Sequence, residues 1–252
     1  MNTFQFIREI QQTSLMNLPR RLSFSFRSLV AREPNYWFLY QFYIWWGQMK
    51  KKAINASPEE RIVSPSTELV IDGFQGSANS FATAAFKFAQ TKEVKLAHHL
   101  HSPAQIIQAI EQNIPVLLTI REPEGTVLSL TSRWPHVSVA QALQSYIAFY
   151  TKLEPYAPHY VVSTFEQTTQ CLDQVMQKIN HQFERIFDII DVEKANKECR
   201  PQANYDPDIP SQRHIIKREK KKDIMSDKNV LLLSEAKDLY KRFEQLSTFE
   251  HI

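Results

Sequence analysis

The sequence predicts an α/β fold: three α/β/α layers around a central parallel sheet, preceded by an N-terminal helical extension. Three observations carry this prediction. Strand-length segments recur at residues 69–71, 93–98, 116–120 and 159–163. Stretches with helical spacing follow them, and repeated β–α alternation implies parallel strands whose crossover helices cover both faces. The third segment, Val116-Leu117-Leu118-Thr119-Ile120, is apolar almost without interruption, as a strand buried on both faces requires. A chain of 252 residues has room for one such domain and an extension. Its 43% hydrophobic and 23% charged residues suit a sizeable core.

Residues 1–60 read as the extension and 61–252 as the α/β domain. Residues 1–34 are partly amphipathic, with Phe4, Ile7 and Ile10 on one helical face and Pro19 and Pro34 as punctuation. The most apolar segment runs from Tyr36 to Trp46 (YWFLYQFYIWW), before Gly47 and Lys50-Lys51-Lys52. It falls short of the ~20 residues that span a bilayer. Being apolar all round, it is expected to be buried, packed on the domain or walling a substrate pocket. Its basic flank leaves open a membrane-surface contact between Tyr36 and Lys52. Residues 53–67, with Pro58, Pro65 and several serines, read as a linker.

The strand at 69–71 stops at Asp72 and enters a small-residue turn, Gly73 to Ser80. Phe81, Ala84, Ala85 and Phe88 then share a helical face. Strand, tight loop and helix together present backbone N–H groups to a phosphate. Two of the four glycines, Gly73 and Gly76, lie in this loop, where positive φ or close backbone approach is needed. An ordinary strand-to-helix turn is the alternative.

Further along, Ser102 with Pro103 and Gln105 forms a capping-box pattern ahead of Ile106, Ile107 and Ile110. Helices are predicted over 123–133 and from Ser138, whose cap partner is Gln141. The second turns Leu143, Tyr146, Ile147 and Tyr150 inward. Residues 167–181 and 234–246 are also helical by spacing, and 200–210 is loop-like with Pro201, Pro207 and Pro210.

A net charge of +3 gives no argument for a nucleic-acid partner, although basic residues cluster at 50–52 and again from Arg213 to Lys222, where they could face an anionic ligand. Two cysteines, Cys171 and Cys199, make no disulfide framework and suit a reducing, cytoplasmic compartment. The N-terminus has no apolar core followed by a small-residue cleavage site.

The loop GFQGSANS keeps the frame of GxxxxGK[ST], but Ala78 replaces the second glycine and Asn79 the lysine. A nucleotide triphosphatase needs that lysine on the β- and γ-phosphates. The neighbouring strand ends in Arg121 where an acidic magnesium-holding residue is needed, so the loop suits an anion met without a metal. Arg121 sits at the C-terminal end of a central strand, where open α/β sheets bind ligands. Ser129 falls two turns along the next helix, and the two could converge on one phosphate. A surface salt bridge is the alternative for Arg121.

GFQGSANSF resembles the 5′-phosphosulfate loop of sulfotransferases, of the type PRSGNTF or PKSGTTW. REPEGTVLS is similar to that family's 3′-phosphate motif RxPxxxxxS, and STFEQ to its YED segment. The resemblance covers about residues 69–187. It implies a P-loop NTPase-like sulfotransferase fold and a metal-free transfer of a sulfuryl group. The donor would be 3′-phosphoadenosine 5′-phosphosulfate (PAPS) and the acceptor an unidentified hydroxyl or amine. Matching positions imply that the loop from Gly73 through Gly76, Ser77, Ala78, Asn79 and Ser80 holds the 5′-phosphosulfate. Phe81 would pack on the adenine, and Arg121 and Ser129 would bind the 3′-phosphate. Phe165 stands in the place of the YED tyrosine.

The family's general base is a histidine in a KTHxP context. Here His101 matches HxP and His99 takes the lysine position, and histidine titrates in the right range for the task. Structural histidines and a metal site are the alternatives for His98, His99 and His101; no cysteine or acid lies nearby in sequence. One departure is central. Gly76 stands where the family has a catalytic lysine or arginine, with Gln75 in place of the proline. Loss of such a cation costs ~3 kcal/mol of transition-state stabilisation. Lys95 or a cation from the Arg213–Lys222 segment, where Lys217-Arg218 lie in a region comparable to the family's RKG contact, would have to replace it. Otherwise the chain is a non-catalytic nucleotide-binding or interaction module.

Overall fold

Four short strands, β1 (Leu69–Gly73), β2 (Leu96–His98), β3 (Val116–Ile120) and β4 (Val161–Thr164), pair in parallel in the order β2-β1-β3-β4. The computed structural model describes residues 3–53, 61–199 and 208–247, with side chains at 17–49, 61–199 and 213–247. Every residue of β1, β3 and β4 is buried. Side-chain alternation divides the strands between two cores. Val70, Val116, Leu118, Ile120 and Val162 join one cluster, while Leu69, Ile71, Leu117 and Val161 join the other.

Helices cover both faces, as a parallel sheet requires. The first cluster is closed by α1 (Thr3–Arg32), α4 (Pro103–Glu111), α6 (Val139–Leu153) and α11 (Asp227–Leu246), the second by α3 (Asn79–Ala89), α8 (Leu172–Phe183) and α9 (Val192–Glu198). The chain is thus an α/β protein with a small parallel sheet among helices. From β1 it crosses to β2 on one side; from β3 it proceeds to β4 on the other. The loops leaving β1 and β3 therefore diverge, opening a crevice at the strands' C-terminal ends.

The remaining helices are α2 (Trp37–Ala53), α5 (Pro123–Arg133), α7 (Phe165–Gln170) and α10 (Asp208–Ile224). Several predicted elements are corrected. The helix expected over 167–181 is two helices, α7 and α8, broken at Cys171, whose φ of −137° and ψ of 35° are not helical. Strand β2 is confined to 96–98, and residues 154–159 form a 3₁₀ segment ahead of β4. Ser102 caps α4 through its hydroxyl, but the Gln105 side chain accepts from Val63 N–H instead of completing a capping box. Ser138 and Gln141 do form the reciprocal box. Residues 54–60 of the expected linker, residues 200–207 of the expected loop, and the side chains of Phe4, Ile7, Ile10 and Lys50–Lys52 lie outside the described residues.

Helix α1 shares the domain's main core through Phe24, Val30 and Ala31, and runs along α6. Arg21 Nε donates to His136 O (2.8 Å), Gln141 Nε2 to Ser25 Oγ (3.0 Å) and Lys152 Nζ to Glu33 Oε2 (2.8 Å). The aromatic segment does not behave as predicted. Trp37 and Tyr40 are buried, but beyond Tyr40 no residue of α2 is buried among those described. Only α1 and the preceding turn contact α2 extensively, which leaves most of its apolar surface uncovered.

Candidate functional site

The β1–α3 loop lies at the mouth of the crevice, and its shape follows from a few fixed points. Gly73 pairs with Thr119 on β3, and a Cβ at Gly73 would fall 2.2 Å from Thr119 O, so only glycine lets the strands close here. Ser77 Oγ donates to Phe74 O (2.6 Å) and lies 2.9 Å from Thr119 Oγ1. Asn79 Nδ2 donates to Gly73 O (3.1 Å) and Phe74 O (3.2 Å), while its Oδ1 accepts from Thr119 Oγ1 (2.6 Å). Tyr150 on α6 completes the brace, donating to Thr119 O (3.0 Å) and accepting from Phe74 N–H (3.3 Å). The Ser77 hydroxyl and Asn79 amide therefore point into the protein and hold the loop. What these two positions present to the crevice is main chain.

Helix α3 begins without a cap. Its N-cap is Ala78, held left-handed at φ 72°, with no side-chain acceptor. The N–H groups of Asn79, Ser80 and Phe81 have no protein acceptor among the described residues. An uncapped first turn attracts an anion. Phe81 itself turns away from the crevice into the core with Ile71, Ala85 and Phe86, so its ring has no face for an adenine. Its place on the sheet-facing side of α3 explains this correction.

On the β3 side, the Arg121 guanidinium lies 4.1 Å above the ring of Phe165, the first residue of α7. Its NH1 reaches Gly76 O at 3.5 Å. A Cβ at Gly125 would come within 3.1 Å of this guanidinium, so a glycine makes room for it. Ser129 on α5 stands beside Gly76, with its Oγ 3.3 Å from where a Gly76 Cβ would be. The structure thus brings Gly76, Arg121, Ser129 and Phe165 together. Glu122 is committed to capping α5, its carboxylate accepting from Glu124 N–H (3.0 Å) and Gly125 N–H (2.6 Å).

The candidate substitute cations divide. Lys95 precedes β2 at the N-terminal end of the sheet, where its N–H bonds Glu68 Oε2 (2.9 Å); it is at the wrong end. Helix α10 packs on α5 and places Lys221 Nζ 3.6 Å from Glu124 Oε1, one residue beyond Pro123 at the mouth of the crevice. Lys217 and Arg218 on the same helix are exposed.

The histidine segment is held by Asp72, which is fully buried at the end of β1. Its carboxylate accepts from Gly73 N–H (2.9 Å) and from His101 N–H (2.9 and 3.1 Å to its two oxygens). Burial pushes this carboxyl up to about 7, against the opposing effect of those N–H groups. His99 and His101 are both left-handed, with φ of 57° and 53°, a costly backbone that the anchoring imposes. His101 Nδ1 lies 2.7 Å from Gly73 O. A carbonyl only accepts, so Nδ1 carries the proton and Nε2 the lone pair. Burial drives this imidazole down to about 3, with the nearby charge of Arg27 acting in the same direction. His99 Nε2 meets Ser80 Oγ at 3.0 Å and its Nδ1 meets His98 Nδ1 at 2.7 Å. Among the described residues no group of three His, Cys, Asp or Glu is arranged to hold a metal.

Arg27 is the site residue that sequence reading missed. It hydrogen-bonds Tyr40, whose hydroxyl donates to Leu100 O (2.6 Å). With His101, Phe74, Gln75, Arg32 and Phe149 it lines a narrow cleft with about 20 Å³ of room, about one water. Gln75 Oε1 is buried there without a donor among the described residues. A signal was present: Phe24, Arg27 and Ala31 share a helical face, so the arginine falls on the core side of α1. Comparison with family models, curated proteins and solved structures gave no match. The chemistry of the site therefore rests on its own geometry.

Proposed function

We propose that the crevice binds a 3′-phosphorylated adenosine nucleotide, PAPS or its product, and that the chain is a sulfotransferase-like protein acting on a hydroxyl or amine. The observation that carries this reading is the meeting of Arg121 and Ser129 beside Gly76, next to the uncapped start of α3. These are two anion-binding devices of different kinds. The guanidinium has one protein acceptor among the described residues and keeps donors for a bidentate phosphate contact. The first turn of α3 offers main-chain N–H groups. A nucleotide with a 3′-phosphate and a 5′-phosphosulfate has two anionic ends to match them. The cradle at Gly125 and the stacked Phe165 fit the 3′ end; the adenine contact assigned to Phe81 does not fit.

Bound PAPS would supply the sulfuryl group. In this reading the chain's own residues divide the remaining work. The N–H groups at 79–81 orient the 5′ end, and Arg121 with Ser129 holds the 3′ end. His101, neutral with its lone pair on Nε2, would orient the acceptor by accepting a hydrogen bond from its hydroxyl or amine, since burial leaves it too weak a base to hold the proton. Arg27, which borders the His101 cleft, supplies positive charge that residue 76 does not. A second reading is favoured by the narrow cleft and by Gly76: a module that binds the nucleotide without turnover.

Calorimetric titration with adenosine 3′,5′-bisphosphate tests the shared claim. Arg121→Ala is expected to weaken binding roughly 10- to 100-fold, the worth of one charge-assisted phosphate contact. Absence of binding, or binding indifferent to that change, removes the proposal. A labelled-PAPS transfer assay with His101→Ala and Arg27→Met then separates enzyme from binder.

A further inference from the structure

We infer that helices α1 and α2 form a docking face for an anionic lipid bilayer. This inference is independent of the nucleotide reading. Beyond Tyr40, α2 keeps Ile44 against the main core and Tyr43 beside Arg27, and its uncovered residues are those that a soluble surface ordinarily buries. Phe38 is 63% exposed, Phe42 61%, Trp45 49% and Trp46 52%. Helix α1 adds a stripe opposite its core-facing side: Leu18, Leu22, Phe26 and Leu29, at intervals of four, four and three residues, are all exposed. A set of large apolar side chains of this extent marks an interaction surface.

Charge decides which partner fits. Residues 1–53 carry eight Lys and Arg against two Glu, a net +6, whereas the other 199 residues carry 22 basic against 25 acidic residues, a net −3. A second copy of this chain would bring two +6 segments together, while an anionic bilayer complements the charge. Composition agrees, since Trp and Tyr favour the headgroup level, where Tyr36, Tyr43, Trp45 and Trp46 would lie. No described helix is long and apolar enough to cross a membrane, so the helices would lie on the surface. On the core-facing side of α1, away from the apolar stripe, Arg20 and Arg27 with His136, Tyr43 and Trp134 line an open groove of about 470 Å³.

The test is flotation of the full chain with vesicles of phosphatidylcholine alone or with 30% phosphatidylserine, together with tryptophan emission. Binding is expected only with phosphatidylserine, with a blue shift from Trp45 and Trp46 and weakening at high salt. The triple change Phe38→Ser, Phe42→Ser and Trp45→Ser is expected to lower vesicle binding more than tenfold, with the thermal midpoint unchanged because these side chains are exposed. Arg20→Gln alone should cost about fivefold. Absence of flotation, or flotation unchanged in the triple variant, overturns the inference. So does sedimentation showing a dimer that the triple variant dissolves while vesicles are ignored.

Discussion

Ser129 stands over Gly76, its Oγ 3.3 Å from the point a Cβ at residue 76 would occupy, and Gly76 is held at φ +97°. The left-handed backbone therefore disfavours any side chain at residue 76, including the cation that the proposed sulfotransferase reading would want there. Gly76→Lys should not create a transferase. It forces a side chain into a conformation costing roughly 1–2 kcal/mol and pushes Ser129 aside. A lower thermal midpoint with weaker adenosine 3′,5′-bisphosphate binding is expected, and a lysine variant that gained transfer activity would show that the cation had merely been lost.

Phe165 takes a tyrosine's place in the resemblance, and its ring carries the Arg121 guanidinium at 4.1 Å. Stacking of this kind contributes about 0.5–1 kcal/mol at a partly exposed site. Phe165→Ala should therefore weaken nucleotide binding by about two- to fivefold through loss of Arg121 orientation. Phe165→Tyr should leave it unchanged. Calorimetric titration of both variants checks this, and equal losses would place the effect in packing rather than in the ring.

The sheet was legible because its signals are local. Val116–Ile120 announces itself as an apolar run ending at a charge, and Ser138 with Gln141 announces a helix start. The meeting of Arg121, Ser129 and Gly76 was partly legible from strand ends and helix spacing. Arg27 was legible only as a core-facing position on α1, because the contacts of α1 with α4 and α6 that bring it to the site form only on folding. Phe81 and Lys95 were misplaced for a related reason. A motif gives position along the chain, but the face of a helix and the end of a strand decide what a side chain meets. The aromatic helix α2 was misread because apolarity predicts burial without saying against what.

Asn79 occupies the position of a phosphate-binding lysine yet serves as a strut between the loop carbonyls and Thr119. Asn79→Ala would remove the Oδ1 acceptor of the buried Thr119 hydroxyl and one donor from each of two loop carbonyls, which keep His101 Nδ1–H and the Ser77 hydroxyl. Leaving a buried polar group unpaired costs about 1–3 kcal/mol. Urea denaturation should show a loss of that size, with nucleotide affinity falling as the loop loosens. A variant of unchanged stability would mean that Ser77 and Tyr150 brace the loop without it.

Asp72 and His101 should as a pair add almost no pH dependence to stability until one of them is removed. Burial raises the Asp72 carboxyl from 3.8 to about 7, so its contribution is full below about pH 4 and is lost as pH rises through 7. Burial lowers His101 from 6.5 to about 3, so its contribution is full above about pH 6.5 and is lost as pH falls toward 3. Between pH 4 and 6.5 the native pair holds one proton, on Asp72, and the unfolded pair also holds one, on the histidine. Equal proton counts give no slope. Asp72→Asn leaves the histidine alone, so stability relative to the parent should fall as pH drops from 6.5 to 4. His101→Asn, which tolerates the left-handed backbone, leaves the carboxyl alone and should reverse the trend, stability rising as pH drops from 7 to 4. The limiting slope for one proton is about 1.4 kcal/mol per pH unit. Urea midpoints at pH 4.5, 5.5 and 6.5 for the parent and both variants measure it. Parallel profiles in all three proteins would show that the two groups do not titrate in opposition.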